Sequence, residues 1–457
     1  MGAGRCKRPS LAMAGSAMGA RNPRVKTNFT NGVHNVTHIK PNRIVYINQI
    51  WGADKRREMV ECCFRQLSVR PIALLVAMLI LAGCSSLPRT SYTASDAAAS
   101  TVLDLRELRS YADEPASTFL KTNVNPRAGV LSYLALSGGG ADGAYGAGVL
   151  NGWTAAGTRP EFSAVSGVST GALIAPFAFL GPAYDATLRD IYTSGVAETL
   201  LNTPSIVHAL FGSGLFGNTH LRELVARYVG QDMLAAIAAE HAKGRRLLIV
   251  TTNLDTQRTV IWDMGRIATI GSPQALDLFR DVLAASASIP VVFPPMLIDA
   301  EANGRRVQEM HVDGGVTAPV LTLPEAFLLR NGAFARGLRM NIYVLVNDKV
   351  ERDFQLVRNS TIDIAARASA SVTKTQIRSV LYETYDFARR NNFGFNLTYV
   401  DKDVPSPGSF GFDASYMRSL YQYGFDRAKT GDFWAKAPPS DDSRQSDFRY
   451  RRSAVSQ

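Results

Sequence analysis

The sequence predicts a three-layer α/β/α protein, with a mostly parallel central sheet between helices and further helices at the C-terminus. Two observations support this fold class. Runs of strand-like residues alternate with helical runs over residues 131–346, as in strands joined by crossover helices. The run at 246–252 is continuously apolar or β-branched, as expected for a strand that is buried on both faces.

Each element follows from local composition. Strands are predicted at 131–136, 163–167, 246–252, 259–263, 306–312 and 341–346. Helices are predicted near 101–120, 143–153, 183–200, 219–242, 273–288 and 322–330. Two further helical segments, at 356–391 and 413–429, are interpreted as an extension that packs on the sheet.

The N-terminal part of the chain predicts export. Arg65 and Arg70 precede an apolar run at 72–82, which is too short to span a bilayer comfortably. The run ends at Leu81-Ala82-Gly83-Cys84-Ser85, which resembles the lipoprotein box of bacterial envelope proteins. The resemblance implies cleavage before Cys84, lipidation of that cysteine, and location at the outer membrane facing the periplasm. An inner-membrane signal anchor is the alternative.

The charge distribution argues against a nucleic-acid partner. The formal net charge is +11, but residues 1–58 alone contain eleven Lys or Arg and only two acids. A basic surface that binds nucleic acid should lie on the folded domain, so this class of partner is excluded. Because Met59 stands at a sensible start for a signal peptide, residues 1–58 are interpreted as a disordered extension or a misassigned start.

Ser169 is the candidate nucleophile. Gly167-Val168-Ser169-Thr170-Gly171 lies between a predicted strand and an apolar helical run. A G-x-S-x-G pentapeptide in this context is typical of a nucleophile elbow, in which flanking glycines allow a turn sharp enough to expose the serine hydroxyl. An ordinary strand-to-helix turn is the alternative.

A glycine loop supplies a candidate oxyanion hole. Gly138-Gly139-Gly140 follows the first strand of the domain and opens a helix, so several backbone N–H groups can point to one place. With Gly143 these residues also satisfy the dinucleotide-binding pattern G-x-G-x-x-G, and Glu161 lies near the position of a ribose-binding acid. A nucleotide site is therefore the competing interpretation.

The candidate general base is an aspartate. The histidines after Ser169 do not fit the usual order of serine, acid and late histidine, unless an acid precedes the last of them, His311. Asp313 follows a predicted strand, and Gly314 and Gly315 let its carboxylate lie against a second backbone. Partial burial would raise its pKa from about 3.9 and make it a better proton acceptor. We expect His311 to be structural.

Three motifs, in this order, resemble those of the patatin-like phospholipase family: residues 138–145, residues 167–171 and Asp313-Gly314-Gly315. Residues 284–295 also resemble the family's segment before the aspartate, and the similarity covers about 131–346. The resemblance implies Ser169 as nucleophile and Asp313 as general base. It further implies an oxyanion hole at Gly138, Gly139 and Gly140, and supporting glycines at Gly143, Gly167, Gly171, Gly314 and Gly315.

The chain departs from the family pattern in two places. Asp142 stands where the family usually has Arg or Lys, which puts a preference for acidic phospholipids in doubt. Pro176 lies within the helix after the elbow, where it should cause a kink.

The predicted function is hydrolysis of fatty-acyl esters in membrane lipids or lysolipids, without a metal or nucleotide cofactor. Three of the four cysteines precede Cys84, so neither a disulfide framework nor a thiolate metal site is expected. A catalytically silent, envelope-anchored binding protein and a dinucleotide-binding oxidoreductase are the alternatives. The predicted organisation is an extension (1–58), a signal peptide (59–83), an anchor linker with a helix (84–130), a patatin-like catalytic domain (131–350), its C-terminal helical extension (351–435) and a disordered tail (436–457).

Overall fold

A computed structural model describes residues 89–120, 124–127, 129–200, 218–328, 338–405 and 412–439. The predicted extension at 1–58, the signal peptide at 59–83, Cys84 and residues 440–457 of the predicted tail lie outside the described residues.

Nine strands of the described residues form one sheet. They are β1 (Arg109–Tyr111), β2 (Leu131–Leu136), β3 (Ala164–Val168), β4 (Arg246–Asn253), β5 (Arg258–Asp263), β6 (Met296–Ala302), β7 (Arg305–Asp313), β8 (Met340–Val346) and β9 (Gly394–Tyr399). The order is β1-β5-β4-β3-β2-β8-β9, and β7 pairs with both β4 and β6. The five strands from β4 to β9 in this order are parallel, whereas β1, β5, β6 and β7 make antiparallel pairs.

Helices cover both faces of the sheet, and alternate side chains of β2 show the two layers. Leu134 and Leu136 pack with one set of helices, whereas Tyr133 and Ala135 pack against the other side. The first layer contains α3 (Gly143–Ala155), α4 (Thr170–Leu180), α5 (Asp185–Thr193), α7 (Gln231–Ala242), α8 (Met264–Ile270), α9 (Pro273–Ser286) and α12 (Ala414–Lys429). The second contains α10 (Glu325–Leu328) and α11 (Thr361–Arg390). The predicted three-layer α/β/α class is confirmed.

The six predicted strands are present, each within two residues of its expected ends. The helix expected over 219–242 is two helices, α6 (Asn218–Tyr228) and α7, because Gly230 is extended and serves as the N-cap of α7. Pro176 lies inside α4, and the helix continues to Leu180.

The region before the first predicted strand differs from expectation. A helix, α1 (Ala94–Ala99), lies early in the predicted anchor linker and begins with a capping box between Thr93 and Asp96. The helix expected over 101–120 is wrong: this stretch forms β1 and a short helix, α2 (Ala116–Leu120). Arg109 of β1 binds Glu309 of β7 at 2.5 and 2.8 Å, a tertiary ion pair that a helical periodicity cannot reveal.

Candidate active site

The candidate nucleophile lies at the carboxyl end of β3. Ser169 has φ +54° and ψ −123°, a conformation that non-glycine residues rarely adopt, and it is the N-cap of α4. Its side chain is buried with 6% exposure. The predicted strand, turn and helix around this serine are therefore present.

The glycines of the elbow are required by close backbone contacts. A Cβ on Gly167 would lie 2.4 Å from the carbonyl oxygen of Gly171, and one on Gly171 would lie 2.5 Å from the carbonyl oxygens of Leu136 and Ser137. Neither contact is possible for a real Cβ, so only glycine lets α4 approach β2 and β3 this closely.

The candidate base reaches the same region along the side of β4 that β3 occupies. Val168 lies opposite Val250 in the β3–β4 pair, and Asp313 lies opposite Thr251 in the β4–β7 pair, while β5 pairs with the other side of β4. Because Val250 and Thr251 are adjacent, Asp313 lies where β3 ends, next to the position of Ser169. We call this end of the parallel strands the carboxyl edge.

Two glycines after Asp313 shape its surroundings. A Cβ on Gly314 would lie 2.5 Å from the carbonyl oxygen of Val250, so the turn must pack directly on β4. The N–H of Gly315 donates to Asp313 Oδ1 at 2.7 Å. The carboxylate is thereby fixed by its own turn.

Burial raises the pKa of the Asp313 carboxyl group to about 6, and hydrogen bonds from the Ser169 hydroxyl and the Gly315 amide partly oppose this rise. Asp313 Oδ2 is buried and, within the described part of the chain, has no partner in good hydrogen-bond geometry. The Ser169 hydroxyl is therefore close enough to lower the pKa of the carboxyl group, but it makes no well-aligned hydrogen bond with Oδ2. Such loose geometry is common in unliganded sites. Oδ2 is left as the available proton acceptor.

The glycine loop leaves two of the three predicted amides without a hydrogen-bond partner among the described residues. The N–H of Gly138 donates to the carbonyl oxygen of Pro319 at 3.0 Å, so this predicted member of the oxyanion hole already has a hydrogen-bond partner. Gly139 has φ +156° and Gly140 has φ +56°, and neither amide has a hydrogen-bond partner among the described residues. These two N–H groups remain available for an oxyanion. Gly143 packs against Thr170, whose Oγ1 would lie 2.1 Å from an added Cβ.

Sequence reasoning gave no role to Ser286, the last residue of α9. Its hydroxyl donates to the carbonyl oxygen of Val250 at 2.6 Å and accepts the backbone N–H of Ser169 at 3.0 Å. Two residues later, the carbonyl oxygen of Ser288 accepts the N–H of Asp313 at 3.0 Å. The end of α9 thus fixes the backbones of both candidate catalytic residues.

Asn347 was also missed. It is fully buried directly after β8, and it holds the glycine loop through Ser137: its N–H donates to Ser137 Oγ at 2.8 Å, and its Nδ2 donates to the Ser137 carbonyl oxygen at 2.9 Å. A polar residue at the end of an otherwise apolar strand was the available signal.

The competing nucleotide interpretation conflicts with the fold. Glu161, the expected ribose-binding acid, precedes β3 and lies at the opposite edge of the sheet from the glycine loop. It forms ion pairs with Arg127 at 3.2 Å and Arg245 at 3.5 Å. An acid at that edge cannot contact a nucleotide held by residues 138–143.

Asp142, which replaces the family's usual cation, faces a charged cleft of about 380 Å³. The Tyr416 hydroxyl of α12 donates to Asp142 Oδ1 at 2.8 Å. Burial raises the pKa of Asp142 to about 7, and the Tyr416 hydrogen bond opposes this rise. Basic side chains also line the cleft: Lys349, Arg352, Arg367, Lys374 and Arg378. Cations therefore stand next to the glycine loop although residue 142 is not one of them.

Two searches of the described residues found nothing: no group of three His, Cys, Asp or Glu residues is placed to hold a metal ion, and no helix is long and apolar enough to cross a membrane.

Comparison with known proteins gave one family match. Residues 134–324 match the family described as patatin-like phospholipase. The crystal structure of VipD from Legionella pneumophila is similar, with a TM-score of 0.35 and 13% sequence identity, over 66% of this chain and 66% of that chain. The compared region thus spans just under two thirds of that protein's length. No curated protein matches the chain.

Proposed function

We propose that this chain, whose residues 134–324 match the patatin-like phospholipase family, is a lipid acyl hydrolase. It cleaves fatty-acyl esters of phospholipids or lysolipids with Ser169 as nucleophile and Asp313 as general base. The observation that carries the proposal is the pairing of a strained, glycine-flanked serine with a buried carboxylate that has one unpartnered oxygen.

In the first half-reaction, the Ser169 hydroxyl attacks the acyl carbonyl carbon while Asp313 Oδ2 accepts its proton. The N–H groups of Gly139 and Gly140 donate to the oxyanion of the tetrahedral intermediate. Asp313 then returns the proton to the departing alcohol as the ester C–O bond breaks. The product of this half-reaction is an acyl-serine.

In the second half-reaction, Asp313 accepts a proton from water, which attacks the acyl carbonyl carbon. Breakdown of the intermediate releases the fatty acid and returns the proton to Ser169. A pKa of about 6 suits this cycle, because Asp313 is then ionised at neutral pH and still a stronger base than an ordinary aspartate. We expect kcat/KM to rise with pH as this group deprotonates.

A fluorophosphonate probe tests the proposal. The full chain should be labelled at Ser169, and Ser169→Ala should abolish both labelling and hydrolysis of a soluble butyrate ester. Ser288→Ala is the matched control, since its hydroxyl donates to the carbonyl oxygen of Ala284 in the last turn of α9. Full hydrolysis by purified Ser169→Ala, or a wild-type chain that neither labels nor hydrolyses, would refute the proposal; the second result would favour a silent binding protein.

We also propose that the mature protein is held in the bacterial envelope by a lipid on Cys84, as the lipoprotein-like box implies. Cys84→Ser should move the protein from the membrane fraction to the soluble fraction of cells. Retention of this variant in the membrane would show that lipidation at Cys84 is not what holds it.

A further inference from the structure

The connection between β8 and α11 carries an unusual set of exposed apolar side chains. Phe354 is 96% exposed and Leu356 is 86% exposed. Val357, Ile364 and Val372 are exposed as well, so five of the twelve exposed large hydrophobic residues of the described chain lie within one stretch of nineteen. Scattered exposed leucines are ordinary, but a concentrated patch marks an interaction surface.

The stretch is held in place by polar contacts from α11. Arg367 Nη2 donates to the Asp353 carbonyl oxygen at 2.8 Å, and Lys374 Nζ donates to the Glu351 carbonyl oxygen at 3.1 Å. Ser360 caps α11 by accepting the N–H of Asp363 at 3.2 Å. Phe354 and Leu356 therefore project from a braced segment, and their exposure is not the fraying of a chain end.

The stretch leaves the sheet at the carboxyl edge, beside the glycine loop. β8 pairs in parallel with β2, so the residues after both strands emerge together. A Cβ on Gly139 would lie 1.8 Å from the Asn347 carbonyl oxygen, which shows how closely the two connections pass. Phe354 follows Asn347 by only seven positions. A surface that contacts Phe354 thus lies on the side of the molecule that carries the proposed active site.

The charge of the stretch selects among possible partners. The stretch itself holds Arg358, Arg367 and Asp363, and with its flanks it spans residues 349–378, which contain six Lys or Arg and three acids. Arg358 is 80% exposed although it pairs with Asp363 at 2.9 Å. Protruding apolar side chains flanked by cations suit a bilayer, because the apolar groups enter the acyl region while the cations meet anionic head groups. A protein partner would instead have to offer a groove to this protrusion.

We propose that residues 352–372, the docking segment, bind the surface of an anionic lipid bilayer by inserting Phe354 and Leu356. Docking would bring the carboxyl edge to lipids still in their membrane. The usefulness of docking rests on the proposed hydrolase function, but the binding itself is independent of catalysis.

The binding test uses the full chain with Ser169→Ala and Cys84→Ser, so that neither turnover nor a lipid anchor contributes. Vesicles of equal parts phosphatidylcholine and phosphatidylglycerol should protect residues 352–372 from hydrogen exchange. Adding Phe354→Asp and Leu356→Asp together should weaken vesicle affinity at least about tenfold, since each side chain loses its burial in the acyl region. Leu105→Asp is the matched control: Leu105 is an exposed leucine on the turn before β1, outside the docking segment.

The same pair of substitutions is then made in the catalytically intact chain. Hydrolysis of the soluble butyrate ester should stay within about twofold of wild type, while hydrolysis of vesicle lipid should fall with the affinity. Unchanged vesicle affinity in the double variant, or no exchange protection of the segment, would overturn the docking proposal. A chain that docks as described but hydrolyses neither the butyrate ester nor vesicle lipid would refute the proposed function and still support docking.

Discussion

Replacing Asp313 by asparagine should stabilise the fold at neutral pH while it abolishes ester hydrolysis. The pKa of this carboxyl group is raised by burial from 3.8 to about 6. Because the folded-state pKa lies above the unfolded one, the folded protein binds more protons between these values, and stability falls as pH rises through this range. A shift of two pH units corresponds to about 3 kcal/mol of unfolding free energy.

Asparagine has nearly the same shape as aspartate but cannot ionise. Its Oδ1 can still accept the Gly315 amide, and its Nδ2 replaces the unpartnered oxygen next to Ser169. The variant should therefore match wild type in stability near pH 4, and should exceed it by up to about 3 kcal/mol near pH 7.

Guanidinium unfolding followed by tryptophan fluorescence at both pH values measures this difference. Asp255→Asn is a control of opposite sign: although burial raises the pKa of Asp255, hydrogen bonds from Arg89, Tyr92 and the Met310 amide lower it more, so this variant should lose stability at neutral pH. The reasoning about Asp313 fails if its asparagine variant is no more stable than wild type near pH 7.

The remaining predictions concern the groups that position the site. Ser286→Ala leaves the buried N–H of Ser169 unpaired, so it should cost about 1–3 kcal/mol of unfolding free energy and lower kcat more than it raises KM. Ser288→Ala should have clearly smaller effects on both stability and kcat. Equal kinetic effects in the two variants would contradict this role of Ser286. Gly139→Ala cannot fit without moving the loop, so it should lower kcat at least about 100-fold. Gly140→Ala has open space around the new Cβ and should cost only about 1 kcal/mol from its left-handed conformation, with most activity kept; a Gly139 variant as active as the Gly140 variant would show that this loop does not hold the oxyanion.

The order of strands and helices was predictable because it depends on local periodicity. All six strands predicted from apolar or β-branched runs are present. Two of the strands that were not predicted, β1 and β9, depend on partners that are distant in the sequence. β9 lies within the predicted helical extension yet adds a parallel strand beside β8, and β1 exists because β5 offers it an edge. Neither partner is visible in a window of ten residues.

The site shows the same division. Ser169 and Asp313 could be proposed from the sequence because glycines mark the turns that present them. The partners of individual backbone N–H groups could not be predicted. Gly138 is indistinguishable from Gly139 and Gly140 in sequence, but its N–H donates to the carbonyl oxygen of Pro319, far along the chain. Ser286 belongs to a segment noted only for its resemblance to the family, and its contact with Ser169 requires the end of α9 to meet β4.

The strand that carries Asp313 also shows why His311 is a poor candidate for the proposed chemistry. His311 is fully buried on β7; its Nδ1 lies 2.9 Å from Thr251 Oγ1, and its Nε2 lies 3.2 Å from Glu309 Oε2. Although burial raises the pKa of Glu309, hydrogen bonds from His311 and Arg109 lower it more, so this carboxylate stays ionised. Four residues further on, Asp313 has no cation beside it and its pKa is raised. Two carboxylates on one strand with opposite pKa shifts suit different roles. Glu309 neutralises the buried Arg109, whereas Asp313 has a buried oxygen without a hydrogen-bond partner among the described residues, as the proposed general base requires.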